Sequence, residues 1–163
     1  MSFPYRIEEL SRVHDRSTFS CGSPPLDRYI REQATQDIRR QVTKCFVTLE
    51  AGATTVAGYY TLAASSLPLD LLPDELKRGL PRYPLVPVAR IGRLAVDQNH
   101  QGRKLAAALL ADAALRASRA DMGVFALIVD AKDEQAEAFY LRYGFAAFAP
   151  RQLFMPIATI MKH

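Results

Sequence analysis

The sequence predicts an α/β fold in a single domain spanning residues 1–163. Three observations lead there. Two β-rich runs, TKCFVTLE (43–50) and TTVAGYYTLAASSL (54–67), flank AGA with Gly52 as its turn residue and read as an antiparallel hairpin. Two strand-to-helix units then follow one another between residues 88 and 144. An apolar fraction of 49% can fill one core at this length without disulfides or metals.

Taken in chain order, the first helix is expected in PPLDRYIREQATQDIRRQ (24–41). There Leu26, Tyr29, Ile30, Ala34 and Ile38 recur at helical spacing, while Arg28, Arg31 and Arg39 share the opposite, solvated face. The hairpin follows. The proline-punctuated run LPLDLLPDELKRGLPRYPLVP (67–87) reads as a long connection with a short helix over Pro73 to Lys77. Next come a strand in VARIGRLAV (88–96), a polar turn from Asp97 to Gly102 and a helix starting near Arg103 in KLAAALLADAALRASRA. Lys104 is expected inside that helix, at a φ of about −60°. VFALIVD (124–130) is a strand and DEQAEAFYLRYG (133–144) a helix stopped by Gly144. FAAF and LFMPIATIMK supply closing strands, the second with Pro156 suited to an edge or a bulge.

Charge and cysteine content exclude several classes. Cys21 and Cys45 are too few for a disulfide framework and no Cys or His pair has metal-ligand spacing, so both read as free structural thiols with no metal site. No basic-then-apolar leader and no apolar run of spanning length is visible, which points to the cytoplasm and away from a membrane. Lys and Arg number 21 against 17 Asp and Glu, a net +4. The excess is local. Lys77, Arg78, Arg82, Arg90, Arg93, Arg103 and Lys104 are opposed between 77 and 104 by Asp97 alone.

The stretch QGRKLAAALLADAALR (101–116) puts two cations at a helix start, where the macrodipole disfavours them by a few tenths to about 1 kcal/mol. A strand, a short turn and a helix N-terminus also leave unpaired N–H groups where an anion can sit. A bound phosphate reverses the sign of the cations' contribution. Solvated first-turn cations on a well-buried helix are the competing reading.

RLAVDQNHQGRKLAAALL (93–110) resembles the acetyl-CoA signature of the GNAT superfamily of N-acetyltransferases, Q/R-x-x-G-x-G/A, carried here as Gln101, Gly102, Arg103, Lys104, Leu105 and Ala106. Lys104 stands where that pattern has its central glycine. AKDEQAEAFYLRYGF (131–145) is similar to the later motif of the same superfamily, a helix ending F-Y-x-x-x-G-F. The resemblance implies a central mixed, mostly antiparallel sheet flanked by helices, with a V-shaped splay between the strands near 89–96 and 124–130. It implies acetyl-CoA as cofactor, its pantetheine arm against Leu94, Ala95 and Val96, with Ala107, Asp133 and Phe139 completing the cofactor set. Backbone N–H groups near Leu94 to Val96 would polarise the thioester carbonyl. Tyr140 falls where the family often has the tyrosine that protonates the departing thiolate. A phenol of pKa about 10 is nearly matched to a thiol of about 8.5 to 10. A packing tyrosine in the stripe Ala136, Phe139, Tyr140 and Tyr143 is the alternative.

FSCGSPPLDRYIREQA (19–34), GYYTLAASS (58–66) and VARIGRLAVD (88–97) together resemble, over essentially the whole chain, the acetyltransferase toxins of bacterial toxin–antitoxin pairs. Ser20 departs from an acidic or amide residue usual there. That resemblance implies acetylation of the α-amino group of an aminoacyl-tRNA, a block of translation, and a ribbon-helix-helix antitoxin as partner; it leaves a homodimer open. An aminoacyl ester's α-amine titrates near or below about 7.7 to 8, so no strong base is required. Asp97 and His100 read as ordinary turn residues, Asp130 as a cap for the next segment, and water can relay the proton. Arg28, Arg31, Arg39, Arg78, Arg82, Arg90 and Arg93 would form the tRNA track. Two other functions compete: a housekeeping acetyltransferase of a small amine or protein N-terminus, and a catalytically weak acyl-CoA-binding protein that acts by binding a partner.

Overall fold

The computed structural model describes residues 4–161. Seven strands form one sheet in the order β1-β2-β3-β4-β5-β7-β6. The residues fall into two compact units, 4–63 with 92–113 and 64–91 with 114–161, and the long strands β3 (Gly58–Pro68) and β4 (Leu85–Val96) run through both.

In the first unit, β1 (Tyr5–Glu9) pairs antiparallel with β2 (Lys44–Glu50), and β2 pairs antiparallel with β3, Lys44 opposite Leu62 and Thr48 opposite Gly58. The hairpin is therefore present, with a longer connection than expected. Residues 54–57 lie outside β3, and Thr55 instead bridges Asp15. The five central residues of β2 are all buried. Cys45, Val47 and Leu49 pack with Phe19, Tyr29, Ile30, Ala34, Tyr59 and Ala95, while Phe46 stacks on Tyr60, ring centroids 5.2 Å apart. Burial on both faces is why the run reads as continuous apolar sequence.

The first helical stretch is not a uniform α-helix. α1 (Pro24–Arg28) and α2 (Ala34–Arg39) are joined by a π-helical turn, Tyr29–Gln33, in which the Ala34 N–H reaches back to the Tyr29 carbonyl. The adjacent Tyr29 and Ile30 both enter the core, at 4% and 0% exposure, as the apolar stripe predicts. Arg28, Arg31 and Arg39 remain on the wet face.

In the second unit a short helix, α3 (Asp74–Lys77), sits within the expected connection. β4 pairs in parallel with β5 (Ala126–Asp130) from Val88 opposite Ala126 to Ile91 opposite Val129. That register stops at Ile91, next to the end of β5, while β4 continues to Val96. β5 pairs with β7 (Gln152–Pro156), and β7 with β6 (Ala146–Ala149), both antiparallel. Leu67, Leu72, Val86, Val88, Ala126, Ile128 and Phe154 form the core.

Three boundaries depart from expectation. β4 begins at Leu85, ahead of Pro87. β7 is an interior strand, and Pro156 is its last residue, past the end of the β6 register at Phe154. The closing run then turns helical as α6 (Ile157–Met161), its first N–H donating to the Phe125 carbonyl at 2.8 Å; Lys162 lies outside the described residues. The other two helices are α4 (Leu105–Ser118) and α5 (Glu134–Arg142). Among the described residues, no helix is long and apolar enough to cross a membrane.

Candidate functional site

The turn between β4 and α4 is built by side chains that satisfy backbone. Asp97, 7% exposed, accepts from the Asn99 N–H (2.9 Å) through Oδ1 and from the Ser20 N–H (3.0 Å) through Oδ2. Gln98 N–H donates to the Ser20 carbonyl at 2.8 Å, and Gln101 Nε2 donates to the carbonyls of Val96 (3.0 Å) and Cys21 (3.3 Å). Asp97 and Gln101 thus clamp the 20–22 segment to the turn.

Lys104 does not have the helical φ expected of it. Gly102 has φ +82° and Lys104 φ +63°, so α4 starts one residue later, with the Lys104 carbonyl accepting from Ala108 N–H at 3.1 Å. The reason lies in the next residue: Leu105 is 1% exposed and packs with Tyr5, Ala57 and Val96. The chain has to reverse sharply to bury that first helical side chain. A non-glycine residue in this region costs about 1–2 kcal/mol. Such strain persists where the surroundings impose it, commonly at functional sites. The lysine occupies the glycine position of the motif and keeps the glycine conformation. The first-turn N–H groups of Leu105, Ala106 and Ala107 have no intrahelical acceptor and open beside two cations.

Arg103 is tethered rather than merely solvated. Its Nη1 donates to the Tyr5 hydroxyl (2.8 Å), and that hydroxyl meets His100 Nδ1 at 2.9 Å. The other ring nitrogen of His100, Nε2, lies 3.7 Å from the Glu50 carboxylate. Tyr5 lies on β1, a strand too short and too charged to stand out in the sequence; nothing local in the sequence signals this network.

In the second unit, Asp133 caps α5, its Oδ1 accepting from the Ala136 N–H at 2.8 Å. Asp130 does not cap the segment after β5: it ion-pairs with Arg90 and accepts from Gln152. Tyr140 is 6% exposed, edge-on to Phe139 and Phe145. Burial, with Asp130 as a lesser cause, pushes its phenol up to about 12. The expected near-match to a free thiol is therefore lost in this environment.

Residues 79–160 match the family model described as the acetyltransferase (GNAT) domain. The chain belongs to this family. It is 38% identical over 146 residues to the tRNA-acetylating toxin of Mycobacterium tuberculosis, covering 88% of this chain and 84% of that protein. A crystal structure of a mutant of KacT superimposes with TM-score 0.91 at 27% identity, over 98% of this chain and 99% of the other. AtaT complexed with acetyl-methionyl-tRNAfMet gives TM-score 0.90 at 28% identity, over 97% and 98%.

The arginines of this GNAT chain divide by surroundings. Arg93 lies 3.6 Å above the Tyr29 ring and, with Arg28, Leu26 and Glu32, lines a cleft of about 320 Å³. Arg31 Nε donates to the Asp27 carbonyl at 3.2 Å, and Arg39 is exposed in the last turn of α2. Arg78 and Arg82 share a separate groove in the second unit. Arg90 is committed to Asp130 and offers the least free charge.

Proposed function

We propose that this chain is an acetyl-CoA-dependent N-acetyltransferase that acetylates the α-amino group of aminoacyl-tRNA, acting in the cytoplasm as a translation-blocking toxin held by a ribbon-helix-helix antitoxin. The β4–turn–α4 segment is the observation that carries it. There the left-handed Gly102 and Lys104, the first-turn N–H groups of α4, and the cations of Arg103 and Lys104 fit a pyrophosphate. Gln101 holds the turn, and the backbone of Leu94, Ala95 and Val96 offers a strand edge to the pantetheine arm. Acetyl-CoA supplies the acyl group as an activated thioester. With acetyl-CoA bound, N–H groups of Leu94 to Val96 would polarise the thioester carbonyl, and Tyr140 would be the proton donor to the thiolate.

Asp133 and Phe139 would complete the cofactor site; Asp133 caps α5, and Phe139 lies edge-on to Tyr140. The substrate reading draws on the tRNA-acetylating relative and on the bound RNA of the AtaT neighbour, together with Arg28, Arg31, Arg39, Arg78, Arg82 and Arg93 as phosphate contacts, with Arg90 the weakest of the set. A catalytically weak binding protein is the weaker reading, since Lys104 takes the left-handed conformation that glycine favours. The test is to incubate the protein with labelled acetyl-CoA and charged tRNA, then hydrolyse the ester. Label in an N-acetylamino acid is expected; label in another acceptor, or none, overturns the proposal.

A further inference from the structure

Residues 69–84 fold into a groove of about 750 Å³ that the acetyl-transfer chemistry does not use. Leu69 and Leu80 pack with Leu72 and Leu76 onto the core below, and the Leu69 N–H donates to the Pro84 carbonyl at 3.1 Å, joining the two ends of the loop. Pro81 and Pro84 bracket Arg82 and Tyr83, restricting the backbone that carries them. Tyr83 is 68% exposed, so its ring gains little from packing, yet it stands on a stiff mount. Lys77 is taken by Asp74 at 3.6 Å. Arg78 and Arg82 have no ion pair among the described residues, and both line the groove with Tyr83.

A flat ring beside two uncommitted planar cations suits a nucleotide whose base stacks while adjacent phosphates meet guanidinium groups. A duplex hides its base faces, so such a site selects an unpaired nucleotide. We propose that this groove binds an unpaired nucleotide of the RNA substrate, with the base on Tyr83 and flanking phosphates on Arg78 and Arg82. The proposal rests on the RNA reading above and adds a residue that charge alone does not identify.

The protein has no tryptophan, so Tyr83→Trp installs a unique fluorescent probe. Single-stranded oligoribonucleotide should quench it, and a blunt duplex of equal length should not. Tyr83→Ala should weaken single-strand binding by at least about fivefold with an unchanged salt slope, and Tyr83→Phe should retain binding. Arg78→Gln and Arg82→Gln should each flatten the slope by about 0.7. Equal binding by Tyr83→Ala, or no preference for single strands, overturns the proposal. Stronger quenching by an acidic peptide than by RNA also overturns it, assigning the groove to a protein. Acetylation of charged tRNA, measured alongside, separates the two readings. Transfer with a KM unmoved by Tyr83→Ala removes the groove alone. Oligonucleotide binding without any transfer removes the acetylation reading and leaves the groove supported.

Discussion

Two residues concentrate the physical argument. Lys104 holds φ +63° at a cost of about 1–2 kcal/mol, and glycine there would return about 0.4–1 kcal/mol through the unfolded chain. Relief exceeds that loss, so Lys104→Gly should stabilise the protein by about 0.5–1 kcal/mol, read as a higher urea midpoint. The same change removes an ammonium. Calorimetry should show weaker CoA binding for Lys104→Gly and about tenfold or more for Lys104→Glu; unchanged affinity in the glutamate variant would remove the phosphate role. Tyr140→Phe should keep fold and CoA affinity and lose single-turnover rate by roughly 10²-fold or more. Because the folded phenol sits at about 12, above its ordinary 10.0, its contribution to stability is present below pH 10 and fades as pH rises toward 12. An ultraviolet difference titration of the parent against Tyr140→Phe should place this phenolate near 12, and a step near 10 would contradict the burial argument.

Among the elements, β3 and β4 approach closely because Gly58 has no side chain. A Cβ there would meet the Ala95 carbonyl oxygen and Thr48 Cγ2 at 3.0 Å and Leu109 Cδ1 at 3.2 Å. Gly58→Ala should cost about 1–3 kcal/mol and lower the transfer rate by displacing the strand edge at Ala95, measurable by denaturation and single-turnover kinetics on one preparation. β2 makes a simpler prediction. Burial pushes the Cys45 thiol up to about 12, so a thiol reagent should modify Cys45 only after unfolding, whereas Cys21 is partly exposed. Most elements were legible because apolar periodicity is local: the hairpin, both strand-to-helix units and the Gly144 stop are all present, with shifted boundaries at β3, β4 and α4. β1 was not, since YRIEE is five residues with three charges and is held by its pairing to β2. The π turn at Tyr29–Gln33 was also hidden: the stripe that puts Tyr29 and Ile30 inward fits an ordinary α-helix, and nothing in it marks the change of hydrogen-bond spacing. The first N–H of α6 is satisfied by a distant acceptor, the Phe125 carbonyl.

At the scale of the whole molecule, the sequence motifs located the candidate site while leaving its supports unseen. Gln101 to Ala106 and Tyr140 are read from short-range patterns, but the Arg103–Tyr5–His100 chain joins residues more than ninety positions apart. The cation count was also legible; which charges are spent was not, as Arg90 on Asp130 and Arg93 on Tyr29 show. The remaining exposed arginines give the substrate reading its quantitative form, because each neutralised phosphate releases counterions and steepens the salt dependence. The most direct measurement is acetyl transfer from acetyl-CoA to aminoacyl-tRNA, to the same amino acid as a simple ester, and to uncharged tRNA, across a salt series. The account predicts efficient transfer to the charged tRNA alone, falling steeply with salt, and a slope flattened by about 0.7 to 0.9 when Arg28→Gln or Arg82→Gln leaves one phosphate without its guanidinium. Equal rates on the ester and the charged tRNA, or transfer to the charged tRNA that ignores salt, would contradict it.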